Sequence, residues 1–144
     1  MGTEENKITD PVTEALPPDT ADPTVAALAY LGDAVLEVMV RERLVRLGLC
    51  ASGRLNEAAL KYVRATAQSD AVERIAPLLT EKEDTVYRRG RNAGHGKNIP
   101  KSATMAQYRR ATGFESLFGY LHLEGETERM TSLFAAAYPD LAEK

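Results

Sequence analysis

Two carboxylates stand inside a helical segment whose other residues are almost all apolar. In the stretch "AYLGDAVLEV", residues 29–38, Asp33 and Glu37 are the only charged side chains. A helix that is apolar on every side predicts a central, buried position, where an ionised carboxylate is costly unless it is paired or binds a metal. Gly32 is a poor helix former, which indicates that another backbone or a ligand approaches this helix closely.

A second segment repeats this arrangement. Within "ATGFESLFGYLHL", residues 111–123, Glu115 is the only residue charged at pH 7, and Gly113 and Gly119 flank it. Small residues on both sides leave room for a neighbouring helix. If the two helices pack together, Asp33 and Glu115 form a site of hard oxygen ligands suited to Mg²⁺ or Mn²⁺.

Spacing alone leaves a second explanation for these two carboxylates open. Each of Asp33 and Glu115 could instead pair with an arginine or with backbone amides, since structural ion pairs are common in proteins. Glu37 lies four residues before Arg41, and we interpret it as one half of an ion pair on the helix surface.

A long stretch without acidic residues follows the middle of the chain. Residues 85–114 contain seven basic residues and no Asp or Glu. This positive charge spans the end of one helix, a glycine-rich loop and the start of the next helix, which is typical of phosphate binding. Amide donors in the same stretch suit the backbone oxygens of RNA. The loop has no aromatic series, which favours recognition of duplex shape over stacking on single strands. The alternative is a solvated basic face without a specific partner. The predicted RNA-binding residues are Arg88, Arg89, Arg91, Asn92, Lys97, Lys101, Arg109 and Arg110.

The net charge of −3 belongs to the N-terminal part of the chain. Residues 1–24 hold six acids and one base, whereas the remaining residues hold 15 acids and 17 bases. Residues 1–22, acidic and containing proline, are predicted to be a disordered leader, and residues 23–140 a single domain. The leader lacks a signal-peptide pattern, no apolar run is long enough to span a membrane, and one cysteine excludes an internal disulfide framework. These features predict a cytoplasmic protein without a membrane partner.

Hydrophobic periodicity and capping residues predict an all-α bundle. Residues 22–23 provide an Asp-Pro start for the first helix, and residues 80–83 form a capping box for the fourth. Ser102 or Thr104 is expected to cap the fifth helix. The predicted helices cover roughly residues 23–48, 54–65, 66–79, 80–93, 102–123 and 126–138.

Three blocks of the chain, in this order and spacing, are similar to a known family. "YLGDAVLE" resembles the signature helix of the ribonuclease III family. "RRGRNAGHGKNIPK" followed by "YRRATGFESLFGYLHLEG" resembles its short branch, Mini-ribonuclease III. The resemblance runs from about residue 23 to residue 130. It implies an all-α, homodimeric nuclease domain that cleaves double-stranded RNA with Mg²⁺, with Mn²⁺ as a substitute, and lacks a separate double-stranded-RNA-binding domain. It also implies precursor 23S ribosomal RNA as the substrate and leaves an auxiliary ribosomal protein open.

The resemblance carries over to individual residues. Asp33 and Glu115 fall on the family's catalytic, metal-binding carboxylates. Tyr30 falls on the aromatic residue that contacts the partner subunit in the longer enzymes of the family. Ala29 and Thr112 stand where those longer enzymes carry further acids, which leaves the number of metal ions and the remaining ligands open.

Together these residues predict metal-assisted hydrolysis of phosphodiester bonds, leaving 5′-phosphate and 3′-hydroxyl ends. Two other interpretations stay open. A non-catalytic, ribosome-associated RNA-binding module on the same fold would keep the basic stretch but would not need both carboxylates. A helical interaction protein that binds no nucleic acid would show no salt-dependent binding of RNA.

Overall fold

A computed structural model describes residues 23–93 and 101–142. Throughout these two ranges the ordered elements are helices, without a β-strand, which confirms the predicted all-α fold. The predicted leader, residues 1–22, and Lys97 lie outside the described residues. In the described part, no helix is long and apolar enough to cross a membrane.

The α-helices are α1 (Val25–Arg46), α2 (Ser52–Val63), α3 (Ala65–Ile75), α4 (Glu81–Ala93), α5 (Met105–Leu123) and α6 (Thr127–Ala137), and 3₁₀ helices cover Ala76–Leu78 and Pro139–Leu141.

Side-chain caps set the start of several helices. Thr24 caps α1 by accepting a hydrogen bond from the backbone N–H of Ala27 at 3.1 Å, two residues later than the predicted start. The capping box before α4 is confirmed, since the backbone N–H of Thr80 donates to Glu83 at 3.0 Å and the reverse bond measures 3.2 Å. Thr104 caps α5 in a second capping box. Local hydrogen bonding therefore accounts for these boundaries.

Helix α5 is the centre of the bundle. It packs against α1, α3, α4 and α6. Its side chains Phe114, Leu117 and Phe118 are fully buried, and the rings of Phe114 and Phe118 lie 4.9 Å apart. The nearly uniform apolar character of this helix therefore reflects burial on most of its sides, as predicted.

Helix α1 does not share that environment, and the prediction that it is buried on every side is wrong. One stripe of α1 faces the core, whereas Tyr30 is 84% exposed, Val38 62% and Val45 59%. Asp33 is also exposed. Periodicity shows that a position is apolar, but it does not show which element covers that position. The buried stripe of α1 consists of Leu28, Gly32, Leu36, Val40 and Leu44.

The contact between α1 and α5 depends on two glycines. A Cβ atom on Gly32 would overlap the backbone carbonyl oxygen of Glu115, and one on Gly119 would overlap that of Leu28. This confirms that another backbone approaches Gly32 closely. The helices can therefore meet at this distance because neither glycine has a side chain.

We expect Gly32→Ala to lower the free energy of unfolding by about 2 kcal/mol, because α1 and α5 must separate to admit the methyl group. Gly53→Ala is a matched control, since Gly53 lies in α2 and its Cβ would have no atom within 4 Å. The control should change the free energy of unfolding by less than about 1 kcal/mol. Urea denaturation measures both variants, and equal effects would contradict this description of the helix contact.

Candidate active site

The two carboxylates that the sequence singled out line one cleft. Asp33 on α1 and Glu115 on α5 border a cavity of about 410 Å³, together with Tyr30, Tyr108 and Thr112. The tight contact at the glycine next to Asp33 brings the two helices together at this point. The prediction that the helices pack so that these carboxylates share a site therefore agrees with the observed geometry.

The alternative explanation was that each carboxylate pairs with an arginine or with backbone amides, and its arginine half does not hold for the described part of the chain. Its ion pairs involve neither Asp33 nor Glu115. Glu37, in contrast, pairs with Arg41 at 3.1 Å, as predicted. Two of the three acids thus share a cleft without a cationic partner among the described residues, and the third forms a surface ion pair.

The carboxyl group of Glu115 has a pKa above its ordinary value. Burial raises the pKa of its carboxyl group to about 8, and the nearby charge and hydrogen bonding of Asp33 act in the same direction. A hydrogen bond from Gln68 lowers this pKa in part. Near neutral pH, Glu115 therefore holds a proton, because burial disfavours its charged form and the neighbouring Asp33 adds to that cost. A bound cation would remove that cost.

The donor set fits a hard divalent cation. Mg²⁺ prefers oxygen ligands, is often bound through one or two carboxylates and keeps several waters. Asp33 and Glu115 supply two such carboxylates at the edge of an open cleft. Across residues 23–93 and 101–142, no group of three or more His, Cys, Asp or Glu residues could hold a metal.

Those predicted RNA-binding residues that the structure describes lie on α4, on α5 and just before α5. Helix α4 ends at Ala93, which borders the cleft, so the last turn of α4 lies beside the carboxylates. Arg91 in that turn bonds to Asn92 at 3.2 Å. Arg89, Arg109 and Lys101 are exposed.

Two of these arginines have acidic partners within the bundle. Arg88 pairs with Asp84 at 2.8 Å, and Arg110 contacts Glu73 at 3.8 Å and Ser69 at 3.3 Å. Both acids lie outside the stretch 85–114. The prediction counted only residues within that stretch, and it therefore overestimated the positive charge that is free to bind phosphate. Arg89, Arg109 and Lys101 are therefore the stronger candidates for phosphate contacts.

One residue of the site was missed by the sequence reasoning. Gln68 on α3 is 1% exposed, and its side chain lowers the pKa of Glu115 in part. A signal was available, because Gln68 falls on the helical stripe that continues through Ala71, Val72 and Ile75, all of which are buried. A polar residue on such an apolar stripe marks a position where a hydrogen-bonding group is needed in the core.

The raised pKa of Glu115 predicts how stability depends on pH. Between its ordinary value of 4.5 and about 8, the folded chain holds a proton that the unfolded chain has released. Its contribution to the free energy of unfolding should fall as pH rises through that window, by up to about 1.4 kcal/mol per pH unit. The side chain introduced by Glu115→Gln cannot ionise. In EDTA, the unfolding temperature of this variant minus that of the wild type should therefore increase from pH 5 to pH 8.5. A constant difference across this range would contradict the assignment.

Comparisons with known proteins identify the family of this chain. The family model for the ribonuclease III domain matches residues 26–126, more than half of the chain. "Mini-ribonuclease 3" of Symbiobacterium thermophilum is 48% identical over 132 residues, which cover 91% of this chain and 93% of that protein. The protein of the same name from Enterococcus faecalis is 45% identical and covers 74% of this chain and 82% of its own length.

A solved structure also resembles the fold. The crystal structure of protein FN1578 from Fusobacterium nucleatum superposes with a TM-score of 0.72 at 28% sequence identity, covering 81% of this chain and 93% of that one. The family match and the identity to relatives over most of the chain are decisive. The chain belongs to the ribonuclease III family, in its Mini-ribonuclease III branch, and is an endoribonuclease.

Proposed function

We propose that this endoribonuclease cleaves double-stranded RNA with Mg²⁺ bound by Asp33 and Glu115, and that Mn²⁺ can substitute for it. The observation that carries the proposal is the pair of carboxylates in one open cleft, with no ion-pair partner in the described part of the chain. An RNA-binding module without catalysis has no use for such a pair, because burying one carboxyl group is costly and the charge of the other repels phosphate.

The residues of the cleft have different roles in the proposed phosphodiester hydrolysis. A bound Mg²⁺ supplies Lewis-acid activation of water and neutralises charge that develops on the phosphate. Asp33, which is exposed, offers its carboxylate at the mouth of the cleft, and Glu115 contributes a second one after losing its proton. The expected products carry 5′-phosphate and 3′-hydroxyl ends.

The basic residues around the cleft position the duplex. Arg89, Arg109 and Lys101 are exposed on the elements that border the cleft and suit phosphate oxygens. Such contacts fix the register of the RNA without reading its sequence. A duplex lying across α4 and the start of α5 would bring a phosphate toward Asp33 and Glu115.

The biological assignment goes further and rests on the family resemblance. We propose precursor 23S ribosomal RNA as the substrate, with an auxiliary ribosomal protein as a candidate partner, in the cytoplasm. The proposed nuclease domain spans residues 23–140, after a leader of residues 1–22. The ribonuclease III domain model matches residues 26–126, which supports the central part of the proposed domain.

We expect Asp33→Asn and Glu115→Gln each to slow cleavage of a labelled RNA duplex in Mg²⁺ while leaving duplex binding intact. The loss should exceed the roughly 10- to 100-fold cost of removing an outer partner of a metal ligand. Glu37→Gln is the matched control, because Glu37 is a carboxylate on the same helix whose partner is Arg41. It should cleave like the wild type.

The same assay separates the alternatives. A wild-type chain that binds both a generic duplex and a 23S-precursor stem without cutting either would favour the non-catalytic RNA-binding module. A chain whose weak RNA binding does not change with salt would favour an interaction protein without a nucleic-acid partner.

We further propose that the active protein is a homodimer formed through the exposed side of α1. Tyr30, Val38 and Val45 are exposed apolar side chains on this helix, and an apolar patch of this kind marks an interaction surface. Tyr30 also borders the cleft, so a second copy covering this side would lie next to the carboxylates. A two-fold arrangement would give one active site per subunit, each cutting one strand.

We expect Val38→Lys to shift the chain toward monomer in analytical ultracentrifugation, because a buried lysine without a partner is costly at an interface. The unfolding temperature of the monomer should change little, since Val38 is 62% exposed in the single chain. Leu123→Lys, at an apolar residue 55% exposed on α5, is the matched control and should leave the assembly unchanged. An unchanged sedimentation coefficient for Val38→Lys would contradict the proposed dimer surface.

A further inference from the structure

Gln68 is a buried polar side chain without a complete set of partners. It lies in the middle of α3 and is 1% exposed. Its side-chain nitrogen Nε2 is fully enclosed, and within the described residues no acceptor completes a well-aligned hydrogen bond to it. A glutamine amide carries two N–H donors, and leaving them unsatisfied in a core destabilises the fold. The presence of this amide in the core therefore needs a reason.

The surroundings of Gln68 point to Glu115. Helix α3 packs against α5, which carries Glu115, and the Gln68 amide interacts with the Glu115 carboxyl group. The next residue, Ser69, accepts a hydrogen bond from Arg110 of α5 at 3.3 Å, so α3 and α5 are joined immediately beside this pair. The donor thus lies near the carboxyl group of Glu115 without full alignment.

A packing role alone does not explain the residue. The other residues on its stripe of α3 are Ala71, Val72 and Ile75, which are buried and apolar. A methionine would fill a similar volume at position 68 without bringing polar atoms into the core. The amide is therefore more simply explained by the group that it faces.

We propose that Gln68 is a positioning residue for the metal site, whose amide donates to the carboxylate of Glu115 and holds it toward Asp33 across the cleft. The inference rests on the proposed function of the carboxylate pair. Hydrogen bonds from outside the ligand set orient metal-binding carboxylates, and removing them costs about 10- to 100-fold in metal affinity or activity. Gln68 lies on α3, a third helix, which packs against the helix that carries Glu115.

The test measures Mn²⁺ binding to the full chain without RNA, by titration calorimetry, for the wild type, Gln68→Met and Ser69→Ala. We expect Gln68→Met to fold with an unfolding temperature at or above that of the wild type in EDTA. Its Mn²⁺ dissociation constant should rise by about 10- to 100-fold. Ser69→Ala removes the neighbouring contact to Arg110 and should leave Mn²⁺ affinity unchanged.

Cleavage of duplex RNA gives a second readout. Gln68→Met should need a higher Mg²⁺ concentration than the wild type and approach the wild-type rate when Mg²⁺ is saturating. A merely structural role would lower the rate at every Mg²⁺ concentration alike. That result would overturn the proposal.

A third readout does not involve a metal. The side-chain amide protons of Gln68 should resonate downfield in the metal-free protein and move when Glu115 is replaced by alanine. Unchanged amide signals in Glu115→Ala would overturn the proposed hydrogen bond. If Gln68→Met binds Mn²⁺ as tightly as the wild type while Glu115→Gln does not bind it, only the proposal for Gln68 is overturned. If the wild type itself binds no Mn²⁺, the proposed function is overturned as well.

Discussion

The close contact between α1 and α5 is the constraint on which the site depends. Gly32 and Gly119 each face the backbone of the opposite helix, where a Cβ atom would overlap a carbonyl oxygen. The carbonyl that meets Gly32 belongs to Glu115 itself, and the residue after Gly32 is Asp33. The packing of two helices therefore also decides the distance between two carboxylates. A side chain at either glycine would change both the core and the site.

That contact has an electrostatic consequence. It places Glu115 in a partly buried position beside Asp33, which disfavours its ionised form and raises its pKa to about 8. A site of this kind is not optimal for the stability of the metal-free fold, as is common where function needs a strained or poorly solvated arrangement. The same arrangement favours a cation, which relieves the repulsion. Substrate phosphates and metal would then enter a cleft already shaped for them.

Much of this fold was predictable from local patterns. The capping box at residues 80–83, and the choice of two lone carboxylates, Asp33 and Glu115, follow from residues close in sequence. The exposed apolar side of α1 was not predictable, because a periodic pattern does not identify what covers each face. The acidic partner of Arg110 comes from another helix, and so does the contact of Gln68 with Glu115. Such tertiary contacts require knowledge of which helices are neighbours.

The central claim is that two carboxylates brought together by one helix contact form a divalent metal site. The most direct measurement is an anomalous difference map from a crystal of the full chain soaked in Mn²⁺, recorded at the manganese absorption edge. We predict a peak between the carboxylates of Asp33 and Glu115, bordered by the cleft that both residues line. The peak should be absent from an equally soaked crystal of Glu115→Gln. No peak in the wild-type cleft, or a peak that persists unchanged in the variant, would contradict the account.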